Sequence, residues 1–321
     1  MITTAMTRLV GCSLPIQQAP MGPVSPPELA LAVAGAGGVG TITSLGDSAD
    51  RMQSRLEGFR SAGDGALAVN FLTADIDPAA VEVAAHHVRV IDFFWRDPDA
   101  SLVAIAHRGG ALVNWQVGSL AEARAAADAG CDMVTVQGIE AGGHIRGETA
   151  LLPLLGAVLA EMQVPVLAAG GIADARALAA VLAAGAAGAR IGTRFIASSE
   201  SGAHPDYIAA VLDAGLAATE ICDAFANCPL CATSARARAL RSAIEGANAS
   251  DDETVGTETV GGEERPVPRH SGMPPHRTVR GQVGAMAMYA GQSVAVVTDV
   301  KPAGELARSI TEGAERLLRV W

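Results

Sequence analysis

Short runs that are apolar throughout recur along this chain, and alanine-rich stretches of helical periodicity separate them. The runs at 15–19, 39–43, 66–71, 88–93, 111–116, 133–137, 164–168 and 189–191 read as buried strands. The stretches at 26–36, 51–62, 120–129, 151–161 and 174–184 read as helices. Strands without polar alternation imply a sheet covered on both faces, and helical crossovers make it parallel. Eight such strands predict an α/β fold, a closed (β/α)8 TIM barrel. A dinucleotide-binding sheet is the competing arrangement, but no G-x-G-x-x-G follows the first strand. The sequence Gly35-Ala-Gly-Gly38 follows a helix and precedes a strand, which is the order of a helix cap and turn.

The rhythm breaks after the eighth strand. Residues 198–243 read as mostly helical, and 245–277 as a polar, acidic loop. Asp251, Asp252, Glu253, Glu258, Glu263 and Glu264 occur there with no basic residue until Arg265, and four prolines follow by 275. The expected organisation is a barrel from 1–197 and 280–321, interrupted at 198–279 by a mainly helical insertion. Its polar stretch is either a lid over the barrel mouth or an inert surface segment. A last helical pair, around 283–290 and 302–320, would close the chain against the barrel.

Composition narrows the class. Half of the 321 residues are hydrophobic and only 3% aromatic, so the core is mostly Ala, Val, Leu and Ile. A net charge of −11 without a basic run argues against a nucleic-acid partner. No apolar run is long enough for a membrane span, and Met1-Ile-Thr-Thr-Ala-Met6 lacks the features of a secretory leader. Five cysteines in a chain of this length make no disulfide framework, which points to a reducing cytoplasm. Cys228-Pro-Leu-Cys231, near Cys222, is a C-x-x-C that elsewhere binds zinc or cycles as a redox pair. No second pair and no nearby His completes a ligand set, so buried thiols are preferred and no metal is expected.

The chemistry concentrates at predicted strand ends. The sixth strand runs into Gln137-Gly-Ile-Glu-Ala-Gly-Gly-His144, which sets an acid–base residue in a glycine turn at the catalytic end of a barrel. The seventh strand ends in Gly170-Gly171 and the eighth in Gly192-Thr193. Loops at those two positions offer backbone N–H groups to a phosphate, although short βα turns alone would also use such glycines. Gln18-Ala-Pro-Met21-Gly22 follows the first strand, and Asn70 lies at the end of the third.

Taken in order, these stretches resemble the nitronate monooxygenase family, formerly called 2-nitropropane dioxygenases, which are FMN-containing TIM barrels. The resemblance rests on the stretches at 18–21, 70, 137–144, 169–172 and 192–195, and on Ala290-Gly-Gln-Ser293. It covers nearly the whole chain and is weakest across 232–279. It implies that Asn70 and Gln137 contact the isoalloxazine and that Ala19, Pro20, Met21 and Gly22 back it. Gly142 and Gly143 would pass close to the ring. Gly170, Gly171, Gly192 and Thr193 would hold the FMN phosphate, with Arg190 and Ile191 alongside. Gly291, Gln292 and Ser293 would complete the pocket. His144 would face the substrate, as a base toward a nitroalkane or as an orienting group for a nitronate, and Glu140 would stabilise the turn or take part in catalysis. The implied reaction is oxidation of a small-molecule nitronate by O2 to a carbonyl compound and nitrite.

The same barrel and the Glu-Ala-Gly-Gly-His run also occur in NAD(P)H-dependent flavin reductases of quinones and enoyl thioesters, and flavin-binding motifs do not separate these activities. A non-catalytic FMN-binding module is a further reading, opposed by His144 at the mouth. Arg146 follows that histidine and would either pair with an anionic substrate or face solvent. The aromatics of Asp92-Phe-Phe-Trp95 either wall the substrate site or are core. The sequence leaves the oligomeric state open, a homo-oligomer included.

Overall fold

In the computed structural model, residues 2–59, 64–72, 75–227 and 236–320 are described. The barrel strands are β1 (Ile16–Gln18), β2 (Val39–Thr43), β3 (Ala66–Phe71), β4 (Val90–Phe93), β5 (Leu112–Val117) and β6 (Met133–Gln137). Past a two-residue strand outside the barrel, β7 (Gly143–His144), come β8 (Val166–Ala169) and β9 (Gly188–Ile191). The eight close as a parallel barrel, with β9 pairing β1. Each lies within two residues of a run read from the sequence.

Between and before the strands lie α1 (Ala5–Val10), α2 (Pro27–Gly35), α3 (Ala49–Leu56), α4 (Pro78–His87), α5 (Ala100–Arg108), α6 (Leu120–Asp128), α7 (Leu151–Leu159) and α8 (Ala175–Ala183). Their starts are set by side chains that accept otherwise unpaired first-turn amides. Asp77, Asp99, Ser119 and Asp174 each cap a helix in this way. The helix expected over 51–62 ends at Leu56, and positions 60–62 lie outside the described residues.

The strands sort their side chains by alternation. Outward residues such as Ile42, Leu67, Val69, Ile91 and Val134 join the core beneath the helices. Inward residues at the strand starts, Val39, Ala66, Val90 and Met133, pack with Met6 and Val10 of α1, so that this helix plugs the N-terminal end. Two residues further along the same inward faces the character changes to Thr41, Asp92 and Thr135. The barrel is thus apolar at its base and polar beneath its mouth.

The stretch after β9 departs from expectation. Here α9 (Thr193–Ile196) and α10 (Pro205–Leu212) precede β10 (Thr219–Cys222) and β11 (Ala237–Leu240). Then come α11 (Arg241–Ala249), β12 (Thr254–Val260), β13 (Glu263–Pro268), β14 (Arg280–Gly281) and, last, α12 (Ala303–Leu318). The insertion is therefore mixed rather than mainly helical. The polar loop expected over 245–277 holds the end of α11 and an antiparallel hairpin. Thr254-Val-Gly-Thr-Glu-Thr-Val260 supplies β-branched residues, and Gly261 and Gly262 supply the positive φ, 61° and 87°, that a two-residue turn of type I′ requires. Val255 and Val267 pack beneath the hairpin with Val279, Val283 and Met286, while its acidic residues face solvent or His276. The charge that marks this stretch in the sequence sits on the hairpin's wet face.

The helix expected around 283–290 is a single 3-10 turn, Val283–Ala285, followed by extended chain, whereas the one around 302–320 is α12. Cys228 and Cys231 lie outside the described residues. Among the described residues no group of His, Cys, Asp and Glu could hold a metal ion, and no helix is long and apolar enough to cross a membrane.

Candidate active site

A cavity opens at the C-terminal end of the barrel, with an empty volume of about 1210 Å³ counting the solvent at its mouth. That is the scale of ligand clefts, which run from roughly 300 to 1,000 Å³ before open solvent is added. Of His144 and the residues expected to bind the cofactor, all but Ile191 and Gln292 line it. Ile191 points outward into the helix-covered core. The Gln292 side chain is exposed, and its backbone N–H instead donates to the Glu140 carbonyl at 2.9 Å.

One side of the cavity is bare backbone. Gly170 and Gly171, with φ of 108° and 70°, follow β8, and Gly192 and Thr193 follow β9. The Thr193 hydroxyl accepts from the Gly291 N–H at 2.9 Å, which ties the late segment to the eighth strand. Gly142 approaches that segment so closely that a Cβ there would lie 2.5 Å from the Gly291 nitrogen. Ala19, Pro20, Met21 and Gly22 form the wall above β1, and Ser293 adds to the late segment.

The floor is a buried polar layer. Arg190 bonds Asp92, Gln116 (2.6 Å) and Gln17 (3.1 Å) across the barrel. Asp92 also accepts from the Asn70 amide at 2.7 Å and from Asn114 at 2.6 Å. Spending the Asn70 NH2 on Asp92 leaves its Oδ1 as the free end, and that buried atom has no partner among the described residues. The Arg190 Nε and the Thr43 hydroxyl are buried and unpartnered too. All three residues line the cavity. Buried polar atoms are normally paired, so three orphans at one floor mark a place where a ligand's polar edge belongs.

His144 stands on the opposite wall, half-buried, with its ring 5.5 Å from that of Trp95 and 5.7 Å from that of Tyr289. Three devices fix its backbone. The Gln137 amide donates to the His144 carbonyl at 2.8 Å and accepts from the Arg146 N–H at 3.0 Å. His144 and Gly143, as β7, pair with Ala237 and Arg238 of β11. The Ile145 N–H bonds the Arg236 carbonyl at 3.0 Å. Gln137 lines the cavity, but both ends of its amide are engaged with this turn.

Both Glu140 carboxylate oxygens accept from the Leu151 N–H at 3.0 Å, so this residue holds the first turn of α7. Arg146 neither reaches the cavity nor faces solvent. Its guanidinium spans Glu122 (2.9 Å), Asp97 and the Trp95 carbonyl. Trp95 has φ of 81°, rare for a bulky residue, and Arg146 grips the carbonyl of that strained position. Of the aromatic run, Phe93 is core and Phe94 lines the cavity.

Several lining residues were missed. Thr43 and Gln116 could have been found from the inward alternation of β2 and β5. The chain's two tyrosines, Tyr207 and Tyr289, both line the cavity, as do Met273 and Pro274 of the insertion. Burial pushes the Tyr207 phenol well above its ordinary range, which keeps it a donor to the Tyr289 carbonyl. No local motif announces these four.

The sequence matches the family described as nitronate monooxygenase over residues 3–87 and 66–313. It is 38% identical over 203 residues to a (3aS,4S,5R,7aS)-5-hydroxy-7a-methyl-1-oxo-octahydro-1H-indene-4-carboxyl-CoA dehydrogenase of Rhodococcus jostii, which covers 62% of this chain and 57% of that one. The chain thus spans little more than half the length of that relative. It is 32% identical over 254 residues to a nitronate monooxygenase of Pseudomonas aeruginosa, covering 64% and 72% of the two chains. A solved nitroalkane oxidase from Streptomyces ansochromogenes superposes with a TM-score of 0.76 at 28% identity, covering 99% of each chain.

Proposed function

The chain belongs to the nitronate monooxygenase family, and on that footing we propose that it is an FMN-dependent oxidoreductase converting alkyl nitronates and O2 to a carbonyl compound and nitrite. The observation that carries this reading is His144, pinned on three sides at the wall of a cavity whose floor is polar and partly unpaired.

The residues present fit FMN. A flat heteroaromatic ring has donors and acceptors on its edge, which suit the Asn70 Oδ1, the Thr43 hydroxyl and the Arg190 Nε. Met21 and the glycines at 142 and 143 offer an apolar and a bare face to such a ring. The backbone around Gly170, Gly171, Gly192 and Thr193 would hold the phosphate through N–H groups. When bound, FMN supplies an acceptor for electrons from the nitronate and a donor of electrons to O2.

The rest is done by the protein. The His144 imidazole takes the proton from the carbon beside a nitro group, or donates to a nitronate oxygen once protonated. Gln137 and β11 hold the backbone that carries that ring before substrate arrives, so less orientation is left to be fixed during reaction. Trp95 and Tyr289 wall the imidazole, and the apolar residues beside it keep water from the reacting carbon.

A second reading has one specific support, the 38% identity to a carboxyl-CoA dehydrogenase. In that case the same flavin site would exchange electrons with a nicotinamide and an acyl thioester. Anaerobic mixing decides between them. Bleaching of the flavin by ethylnitronate but not by NADH supports the oxidase reading, and rapid bleaching by NADH alone overturns it.

A further inference from the structure

We infer that the chamber beside His144 selects nitronates whose only negative charge is on the reacting group, with an uncharged hydrocarbon substituent packed against Phe94, Met273 and Tyr289. This specificity rests on the nitronate reading above and narrows it.

The cations near this chamber, among the described residues, are all engaged away from it or in its floor. Among the described residues that line the cavity, the only formally charged side chain is Arg190. It lies in the floor, already bound by Asp92, Gln116 and Gln17. The arginines around the His144 turn are spent elsewhere. Arg146 is held by Glu122 and Asp97, and Arg236 by Glu148 at 2.9 Å. Arg238 donates to the Ile139 carbonyl at 3.0 and 3.3 Å and to the Thr219 hydroxyl at 3.4 Å. No carboxylate lines the cavity among the described residues either.

Apolar and aromatic residues share the cavity with His144. Tyr289 packs against the imidazole, and its hydroxyl proton is given to the Gly272 carbonyl at 2.9 Å, so its contribution to the chamber is chiefly its ring. Met273 and Pro274 follow directly. Phe94 packs edge-on against Trp95, which in turn packs edge-on against His144.

Charge compensation therefore suffices for one anion. A protonated His144 can balance the nitronate group. A second anionic group, a carboxylate two bonds from the reacting carbon, would be desolvated against Phe94 and Met273 with no charged side chain left among the described lining residues to pair it, and that is costly. A hydrocarbon of the same shape gains from the same walls.

The test compares two nitronates of matched shape on the FMN-loaded protein: propionate 3-nitronate, and the nitronate of 1-nitro-3-methylbutane, in which two methyl groups replace the carboxylate oxygens. Nitrite release is expected to give kcat/KM higher for the hydrocarbon by about 100-fold or more. Equal or faster use of the carboxylated substrate overturns the inference. A parallel titration reads binding without turnover, following the perturbation of flavin absorbance by the unreacted 3-nitropropionate and 1-nitro-3-methylbutane. The hydrocarbon is expected to bind at least about tenfold tighter, and equal or tighter binding of the acid overturns the inference by this second route. If neither nitronate is oxidised, the nitronate reading fails while the binding titration still decides the chamber's preference.

Discussion

The Nε2 of Gln137 donates to the carbonyl of His144 at 2.8 Å, so the last residue of a barrel strand holds the backbone of the residue proposed to do the chemistry. Strand and turn are thereby joined by one amide, whose other end takes the Arg146 N–H. Gln137→Leu removes both bonds and leaves the shape. It should lower nitronate turnover by roughly 10- to 100-fold, the scale of a misplaced catalytic group. Flavin-to-protein ratio after gel filtration should stay near that of the parent. Loss of flavin in step with activity would instead make Gln137 a cofactor ligand.

Asp92 is the hub of the polar floor and is fully buried. Asp92→Ala leaves the Arg190 charge without its partner and should cost about 3–5 kcal/mol of stability, read as a lowered urea midpoint. The double change Asp92→Leu with Arg190→Met should recover much of that loss, because no buried charge remains. It should not recover flavin binding, since the Asn70 amide would no longer be oriented.

Two glycine-to-alanine changes should go in opposite directions. At Gly142 a Cβ would meet the Gly291 nitrogen at 2.5 Å and the Ala290 carbonyl carbon at 2.6 Å, both backbone. Gly142→Ala should therefore lower thermal stability and flavin content together. At Gly156, exposed on α7, a Cβ meets nothing within 4 Å. Gly156→Ala should raise stability by about 0.5–1 kcal/mol through helix propensity.

Burial pushes the thiols of Cys12 and Cys131 up to about 11 and about 12. The shift is upward, so both remain protonated at pH 8, and it is the thiolate that reacts. Mass mapping after brief iodoacetamide treatment at pH 8 should find these two unmodified in the native protein and modified once it is unfolded. Each would also favour the folded state less as pH rises above the ordinary thiol range of about 8.5. Native-state labelling of Cys131 would show that its site opens.

The barrel was legible because each strand carries its own signal, a continuous apolar run bounded by helix caps such as Asp174 and Ser119. The glycine turns were legible because backbone approach leaves few residue choices, as at Gly142. The floor was half legible. Asn70 stood out, but Asp92 was read within an aromatic run, since a buried ion pair joins strands β4 and β9, far apart in sequence. The substrate wall was least legible. Tyr289, Met273 and Tyr207 come from the insertion and the late segment, and only the closed fold brings them to His144. The hairpin is hidden by its charge, because alternate positions of a strand are free to carry residues such as Glu258 and Glu263 on the solvent side.

The pairing of β7 with β11 also sets an order of events during synthesis. Strands β1 to β9 leave the ribosome, and with them nearly every glycine and polar side chain of the pocket, before Ala237 and Arg238 exist to pair with His144. A nascent chain at that stage has the barrel-strand side of the pocket, but not the β11 partner of His144 nor the Gly291 segment. The chain beyond β9 therefore delivers two things at once, the strand that anchors His144 and the Gly291 segment that closes the pocket, and a chain truncated before β11 should have neither.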